Sequence, residues 1–150
     1  MTMNNSEICD YLNKLIQLDF DASRAYKQAI DEIDDPQIKS TIRTFQADHD
    51  RHCSDLSYKV ETLGGTPIEL KRDIKGAFIE GFTAIRSATG TDGALKAMES
   101  NEKLTNKKYS QAMERDFPFD VKDVIRRNYE DEQRHLAYIQ EELLVRTKKR

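Results

Sequence analysis

The sequence predicts an all-α protein, a four-helix bundle of two similar helical hairpins joined by a long crossover. Charged residues make up 34% of the chain, which has only six glycines and three prolines, and this composition suits long solvated helices better than a sheet. Apolar residues recur three and four positions apart along four long segments, the spacing of one helix face. The two halves of the chain also match each other at a constant offset of 83 residues. One hairpin is therefore expected to be followed by a second of the same kind.

The first hairpin is predicted over residues 6–65, with Ser6 as a candidate N-cap of the first helix. Its turn is the Asp34-Asp35-Pro36 stretch. Asp35 can cap the second helix and Pro36 can take the first helical position, where a missing N–H costs nothing. The Gly-Gly pair at the end of the segment is typical of a helix C-terminus.

The crossover, residues 66–91, is predicted to contain a fifth helix over residues 70–88, which Gly90 closes. The second hairpin follows as helices over residues 92–115 and 120–146, around an FPFD turn. A helix of about 19 residues at about 1.5 Å each can traverse a bundle. The second and third long helices can therefore run parallel, and the 150 residues form most simply one domain.

The internal repeat aligns the polar residues of the two hairpins. Identical pairs at the offset of 83 include Tyr26 with Tyr109, Asp48 with Asp131, Arg51 with Arg134, and His52 with His135. Asp19 aligns with Glu102, and His49 aligns with Glu132. The two hairpins are thus expected to present matched functional groups.

An ionisable group interrupts the apolar face of every long helix. The six inward groups are Asp19 on the first helix, His49 and His52 on the second, Glu102 on the third, and Glu132 and His135 on the fourth. Within each hairpin these groups lie about equally far from the turn. All six are therefore predicted to converge at one level of the bundle.

Three carboxylates and three imidazoles in a bundle interior need compensating partners, because an unpaired buried charge costs several kcal/mol. A divalent metal ion supplies that compensation, and iron, manganese and zinc all accept these ligand types. A Glu-x-x-His step, such as Glu132 to His135, points both donors at the same volume. The alternative is a metal-free cluster of hydrogen-bonded histidines and carboxylates. All three histidines lie at positions that the repeat matches, level with the carboxylates, and this favours metal.

Neighbouring residues are candidates for supporting such a site. Asp48 and Asp131 can each accept the free N–H of a histidine on the facing helix. Arg51 and Arg134 can in turn pair with these aspartates, or form ordinary surface ion pairs.

Two tyrosines, Tyr26 and Tyr109, lie seven residues after Asp19 and Glu102 on the same helix faces. They can pack in the core, donate hydrogen bonds to the ligands, or supply an electron during oxidation. Each buried hydroxyl needs a partner in any of these roles.

The motifs resemble those of the ferritin-like superfamily, specifically its rubrerythrin-like and uncharacterised bacterial four-helix branches. LDFDASRAYKQA and NEKLTNKKYSQA resemble the acid-then-tyrosine helices of that superfamily, and DEQRH resembles the DExRH motif of di-iron carboxylate proteins. The resemblance covers about residues 8–146. It implies a ferritin-like bundle with two divalent metal ions, most simply iron.

The resemblance also implies roles for single residues. Glu102 and Glu132 would be carboxylate ligands, with Asp19 as the carboxylate of the first helix. His135 and His52 would be the imidazole ligands. The chain departs from the family at position 49, where a histidine replaces a glutamate, so a single ion or a zinc site stays open.

The implied activity is oxidation of Fe(II) by oxygen or peroxide, ferroxidase-like or peroxide-reducing. The sequence holds no rubredoxin-like CxxC pair, so an external electron donor would be required. Two alternative functions belong to other classes of protein. One is a non-catalytic metal-binding bundle, with zinc or another ion, of structural or stress-related function; the other is a helical interaction module without metal.

Other functions have little support in the sequence. The formal charge is −3 and no basic face precedes the terminal RTKKR, which argues against nucleic-acid binding. No apolar run approaches the ~18 residues of a membrane span. With two isolated cysteines and no signal segment, a cytoplasmic protein is expected, as a monomer or homodimer.

Overall fold

The computed structural model describes residues 3–70 and 90–148, which form four long helices. They are α1 (Asn5–Glu32), α2 (Pro36–Thr62), α3 (Gly90–Met113) and α4 (Phe119–Lys148). Short turns join α1 to α2 and α3 to α4, so the predicted all-α architecture of two helical hairpins is confirmed. Within the described residues, no helix is long and apolar enough to cross a membrane.

The helix starts show one correct prediction and one wrong one. Asp35 caps α2 by accepting from the backbone N–H groups of Gln37 and Ile38. The prediction of Ser6 as the cap of α1 is wrong, because the N-cap is Asn4. The Asn4 side chain accepts from the Glu7 N–H, and the Glu7 carboxylate accepts from the Asn4 N–H, which is a capping box. The reciprocal pair satisfies two backbone donors, and a cap at Ser6, two residues later, would leave both of them without a partner.

The chain leaves α2 through Gly64, whose φ of 82° places it in the left-handed region that favours glycine. The predicted crossover helix is not found at its first residue, since Leu70 is not helical and instead packs against the core. Residues 71–88 of that prediction lie outside the described residues. Gly90, which was predicted to close that helix, is the first residue of α3.

Two apolar clusters fill the interior, one towards each end of the bundle. The first joins the N-terminal half of α1 to the C-terminal halves of α2 and α3 and the start of α4. The second joins the opposite halves of the same helices. Helices α2 and α3 therefore run parallel, and the segment between them connects opposite ends of the bundle.

The predicted inward faces are the buried faces. The residues at spacing three and four on α1 include Leu12, Ala22 and Ala29, and none of the three exceeds 2% exposure. The inward face of each helix also carries one or two ionisable residues. These residues form a polar layer between the two apolar clusters.

Candidate metal centre

The six predicted donor residues lie together in the polar layer between the two apolar clusters. They are Asp19, His49, His52, Glu102, Glu132 and His135, and none is more than 1% exposed. Each helix contributes because a residue three or four positions from an apolar core residue shares its face. We call this set the donor cluster.

One half of the donor cluster forms around Asp19. Its Oδ1 atom lies 2.8 Å from His49 Nδ1 and 3.0 Å from His52 Nδ1. Both of these nitrogens are 3.3 Å from Glu132 Oε1. One ligand atom from each of the four residues lies within 4.8 Å of all the others, so the group is compact enough to hold a metal ion.

The other half forms around Glu102. Its Oε1 atom lies 3.1 Å from His49 Nε2 and 3.4 Å from His135 Nδ1. His135 Nδ1 is also 3.8 Å from Glu132 Oε2. These four residues form a second compact group. His49 and Glu132 belong to both groups, each through two different atoms.

The outward nitrogens of two histidines contact aspartates on the facing helix. His52 Nε2 lies 2.9 Å from Asp131 Oδ2, and His135 Nε2 lies 2.8 Å from Asp48 Oδ2. A carboxylate accepts a hydrogen bond, so each Nε2 carries the proton and each Nδ1 faces the cluster. These are the contacts that the repeat pattern predicted for Asp48 and Asp131.

Two arginines close the outer edge of the cluster. Arg51 donates to Asp131, and Arg134 donates to Asp48 at 2.8 Å. The arginine side chains are 51% and 54% exposed, so the pairs stand between the buried histidines and solvent. Exposed ion pairs contribute little to stability, and their main effect here is to fix the aspartates.

The two tyrosines both pack in the core and hydrogen-bond to the cluster. Tyr26 donates to Glu102 and Tyr109 donates to Asp19. Burial raises the pKa of both phenols, and the neighbouring carboxylates raise it further. Both hydroxyls therefore stay protonated and act as donors. An electron-supplying role stays a prediction.

The three histidines are basic in this environment. Burial lowers the pKa of each ring, but the surrounding carboxylates outweigh it. The resulting pKa is about 9 for His49, about 12 for His52 and about 11 for His135. Without a metal ion the imidazoles are therefore protonated at neutral pH.

The carboxylates divide into two kinds. Burial raises the pKa of Asp19 and Glu102, but the adjacent imidazoles lower it below the ordinary value in both. The pKa of Glu132 is instead raised, by burial and by the nearby Glu102. Glu132 is thus the carboxylate with the least compensation from protein groups.

The donor cluster fits a metal ion. Glu132 Oε1 and His135 Nδ1 are buried and make no hydrogen bond of good geometry, although Glu132 Oε1 lies 3.3 Å from His49 Nδ1 and His135 Nδ1 lies 3.4 Å from Glu102 Oε1. Both atoms face the other donors, where a cation would displace the proton of His135 Nδ1 and use the lone pairs of both atoms. Carboxylate oxygen and imidazole nitrogen are ligands for iron, manganese and zinc. These residues would accordingly hold metal ions.

The chain also matches a known protein family. The model of the family described as Domain of unknown function (DUF2383) matches residues 7–115. This chain belongs to the DUF2383 family. No curated protein matches it. The matched range includes α1, α2 and α3, whereas Glu132 and His135 lie beyond it on α4.

Solved structures are similar to this DUF2383 chain over nearly its whole length. A two-domain protein from Anabaena variabilis, with DJ-1/ThiJ/PfpI-like and ferritin-like domains, has a TM-score of 0.76 and 14% identity; the match covers 97% of this chain and 38% of that one. This chain thus spans well under half of that protein.

Two further structures are similar over most of both chains. A ferritin-like, diiron-carboxylate protein from Bacillus anthracis has a TM-score of 0.71 and 18% identity, with 95% of this chain and 99% of that chain covered. The bacterioferritin of Desulfovibrio desulfuricans, which has a diiron site, has a TM-score of 0.71 and 20% identity, with 93% and 79% covered. These likenesses confirm the predicted ferritin-like fold.

Sequence reasoning gave no role to one residue of this DUF2383 chain that contacts two carboxylates of the donor cluster. Thr105 Oγ1 lies 2.9 Å from both Glu102 Oε2 and Glu132 Oε2, so its hydroxyl links the two carboxylates. The signal was available, because Thr105 is a polar residue on the apolar face of α3. Its counterpart in the first hairpin is Ala22, which makes no such contact.

A second departure from the repeat surrounds the histidines. Phe45 stacks on the His135 ring, with centroids 4.2 Å apart. At the offset of 83 its counterpart is Asn128, whose amide donates to the Tyr109 hydroxyl at 3.3 Å. The two halves of the donor cluster therefore have matched ligands but different surroundings.

Proposed function

We propose that this chain binds two divalent metal ions in the donor cluster, iron by preference, and acts as a ferroxidase-like or peroxide-reducing oxidoreductase. The observation that carries this proposal is the pair of overlapping four-residue groups, with buried donors from all four helices. The diiron sites of the similar Bacillus and Desulfovibrio proteins support iron as the metal.

In this proposal Asp19 and His52 hold one ion, Glu102 and His135 hold the other, and His49 and Glu132 adjoin both. Bound iron would supply electron transfer to oxygen or peroxide, for which the protein provides ligands and electrostatics. The chain holds the imidazoles and carboxylates in place through aspartate and tyrosine hydrogen bonds. Burial keeps bulk water out of the cluster.

Reduction of the centre requires an external donor. The two cysteines, Cys9 and Cys53, are far apart in sequence and both are free thiols. Burial raises the pKa of the Cys53 thiol above its ordinary value, which disfavours the reactive thiolate. A partner that delivers electrons is accordingly part of the proposal.

Anaerobic loading followed by exposure to oxygen or peroxide tests the activity. Metal-free protein is mixed with Fe(II), and ferric absorbance is followed after the oxidant is added. The expected result is faster oxidation than in buffer or with the double variant His52→Ala and His135→Ala, which removes one ligand from each half. A wild-type rate equal to the buffer background would rule out the oxidoreductase.

A second candidate function is non-catalytic metal binding, with zinc as the simplest ion. The observation in its favour is His49, which leaves the cluster with three carboxylates and hence a formal positive excess for two divalent ions. Elemental analysis of protein purified without added metal distinguishes the candidates. Zinc in the protein together with no Fe(II) oxidation would favour this reading.

A further inference from the structure

We propose that His49 bridges the two metal positions, with one ring nitrogen directed to each. This inference rests on the proposed metal site. His49 Nδ1 lies 2.8 Å from Asp19 Oδ1 in one half of the cluster. His49 Nε2 lies 3.1 Å from Glu102 Oε1 in the other half. The ring therefore stands between the two groups.

His49 differs in this respect from the other two histidines. His52 and His135 each direct Nε2 away from the cluster to an aspartate, so each offers only Nδ1 to a metal ion. His49 is fully buried and both of its nitrogens face carboxylates of the cluster. It is placed to bridge, whereas the other two are placed as end ligands.

The repeat leads to the same assignment. At the offset of 83, Asp19 aligns with Glu102 and His52 aligns with His135. The repeat thus relates the residues that belong to one group alone to those that belong to the other group alone. It also pairs His49 with Glu132, the two residues that belong to both groups. Glu132 directs Oε1 to one group and Oε2 to the other. In the repeat, His49 therefore takes the place of Glu132, whose carboxylate can offer one oxygen atom to each group.

Charge also supports a bridge. A neutral imidazole has one lone pair and one N–H, so it can ligate a single ion. When the second ion binds, the N–H proton leaves to water and the imidazolate has a lone pair on each nitrogen. Three carboxylates and one imidazolate carry four negative charges, which balance two divalent ions. The bridge thus removes the positive excess that three carboxylates alone would leave.

Titration with Cu(II) alone, followed by electron paramagnetic resonance, tests the bridge. The first equivalent is expected to give a full signal, and the second is expected to reduce the total signal because bridged ions couple magnetically. In His49→Gln the coupling is expected to be much weaker than in the wild type, because only Glu132 then still reaches both groups. The matched variant His135→Gln alters an end ligand, and its two-ion form is expected to stay coupled.

Two results would overturn the bridge while leaving the metal site intact. The first is a wild type whose two bound ions are magnetically uncoupled. The second is a His49→Gln variant whose magnetic coupling is as strong as that of the wild type. A crystal structure of the Cu(II)-loaded wild type gives a measurement without a variant. Anomalous peaks beside both ring nitrogens of His49 support the bridge, and peaks beside one or neither refute it. A wild type that takes up no metal at all would overturn the proposed function as well.

Discussion

At the scale of single residues, the contact between each of His52 and His135 and an aspartate decides which ring nitrogen faces the donor cluster. Asp131 accepts from His52 and Asp48 accepts from His135. Each contact crosses from one hairpin to the other, between α2 and α4. The carboxylate fixes the tautomer and makes the opposite nitrogen a better ligand. These aspartates therefore act on the metal centre through the rings they hold.

Replacing Asp131 with asparagine is expected to weaken Zn(II) affinity by about 10-fold to 100-fold. The amide oxygen can still accept from His52 Nε2, but it lacks the carboxylate charge that makes the opposite nitrogen a better ligand. Competition with a chromophoric chelator measures the change. The control is Asp123→Asn, which should leave the Zn(II) affinity unchanged. Asp123 lies on the outer side of α4 and pairs with arginines. Equal affinities for both variants would show that Asp131 does not support the ligand.

Metal binding is expected to release protons at pH 7. In the metal-free protein the pKa of His49 is about 9 and that of His135 about 11, so at pH 7 both rings are protonated. Ligation requires a nitrogen lone pair, and hence each bound ring loses a proton. Calorimetric titration with Zn(II) in buffers of different ionisation enthalpy counts these protons. A heat independent of the buffer would contradict the protonation assigned to the metal-free cluster.

At the scale of the helices, α2 and α4 carry two donors each, and α1 and α3 carry one each. The pairs His49 with His52 and Glu132 with His135 are three residues apart, which places both members on one face of a helix. The hairpin turns and the packing of the core set the height of these donors. The caps contribute by stabilising the helices that carry the donors.

Asn4→Ala is expected to lower the free energy of unfolding by about 0.5–2 kcal/mol, because it removes the capping box of α1. Ser6→Ala is the matched control, since Ser6 is exposed within the first turn and should change stability by less than about 0.5 kcal/mol. Urea denaturation of the metal-free proteins measures both. A larger loss for Ser6→Ala would return the cap to Ser6.

At the scale of the whole molecule, a polar layer divides the apolar core into two clusters. Six ionisable groups between these clusters are stable only when their charges compensate. Without metal, protonated imidazoles and carboxylates compensate each other in part, and two donor atoms make no hydrogen bond of good geometry. A ligand that binds only the folded cluster would therefore stabilise the entire bundle.

Zn(II) at about 100 times its dissociation constant is expected to add about 2.7 kcal/mol of stability. For a chain of this size this raises the melting temperature by roughly 5–11 °C. Thermal melts with Zn(II) and with a chelator measure the shift. The double variant His52→Ala and His135→Ala should show a much smaller shift. Equal melts of the wild type with and without Zn(II) would favour the metal-free interaction module.

The sequence by itself determined which side chains face inward and roughly where the turns lie. Helical periodicity is local, so the register of Asp19 against Tyr26 follows from their spacing alone. The level of the donor cluster also followed, because distances from each turn can be counted along the chain. The repeat added the matched partners in the second hairpin, and with them the expectation that Asp48 and Asp131 reach across to histidines.

Only the tertiary structure decided how the helices meet. It showed that His49 and Glu132 belong to both groups, and that Thr105 links the two glutamates. It also moved the start of α1 to the Asn4 capping box. The physical reason is that such contacts depend on the rotation and height of one helix against another. Packing of the whole core sets these quantities, and the periodicity of a single helix does not contain them.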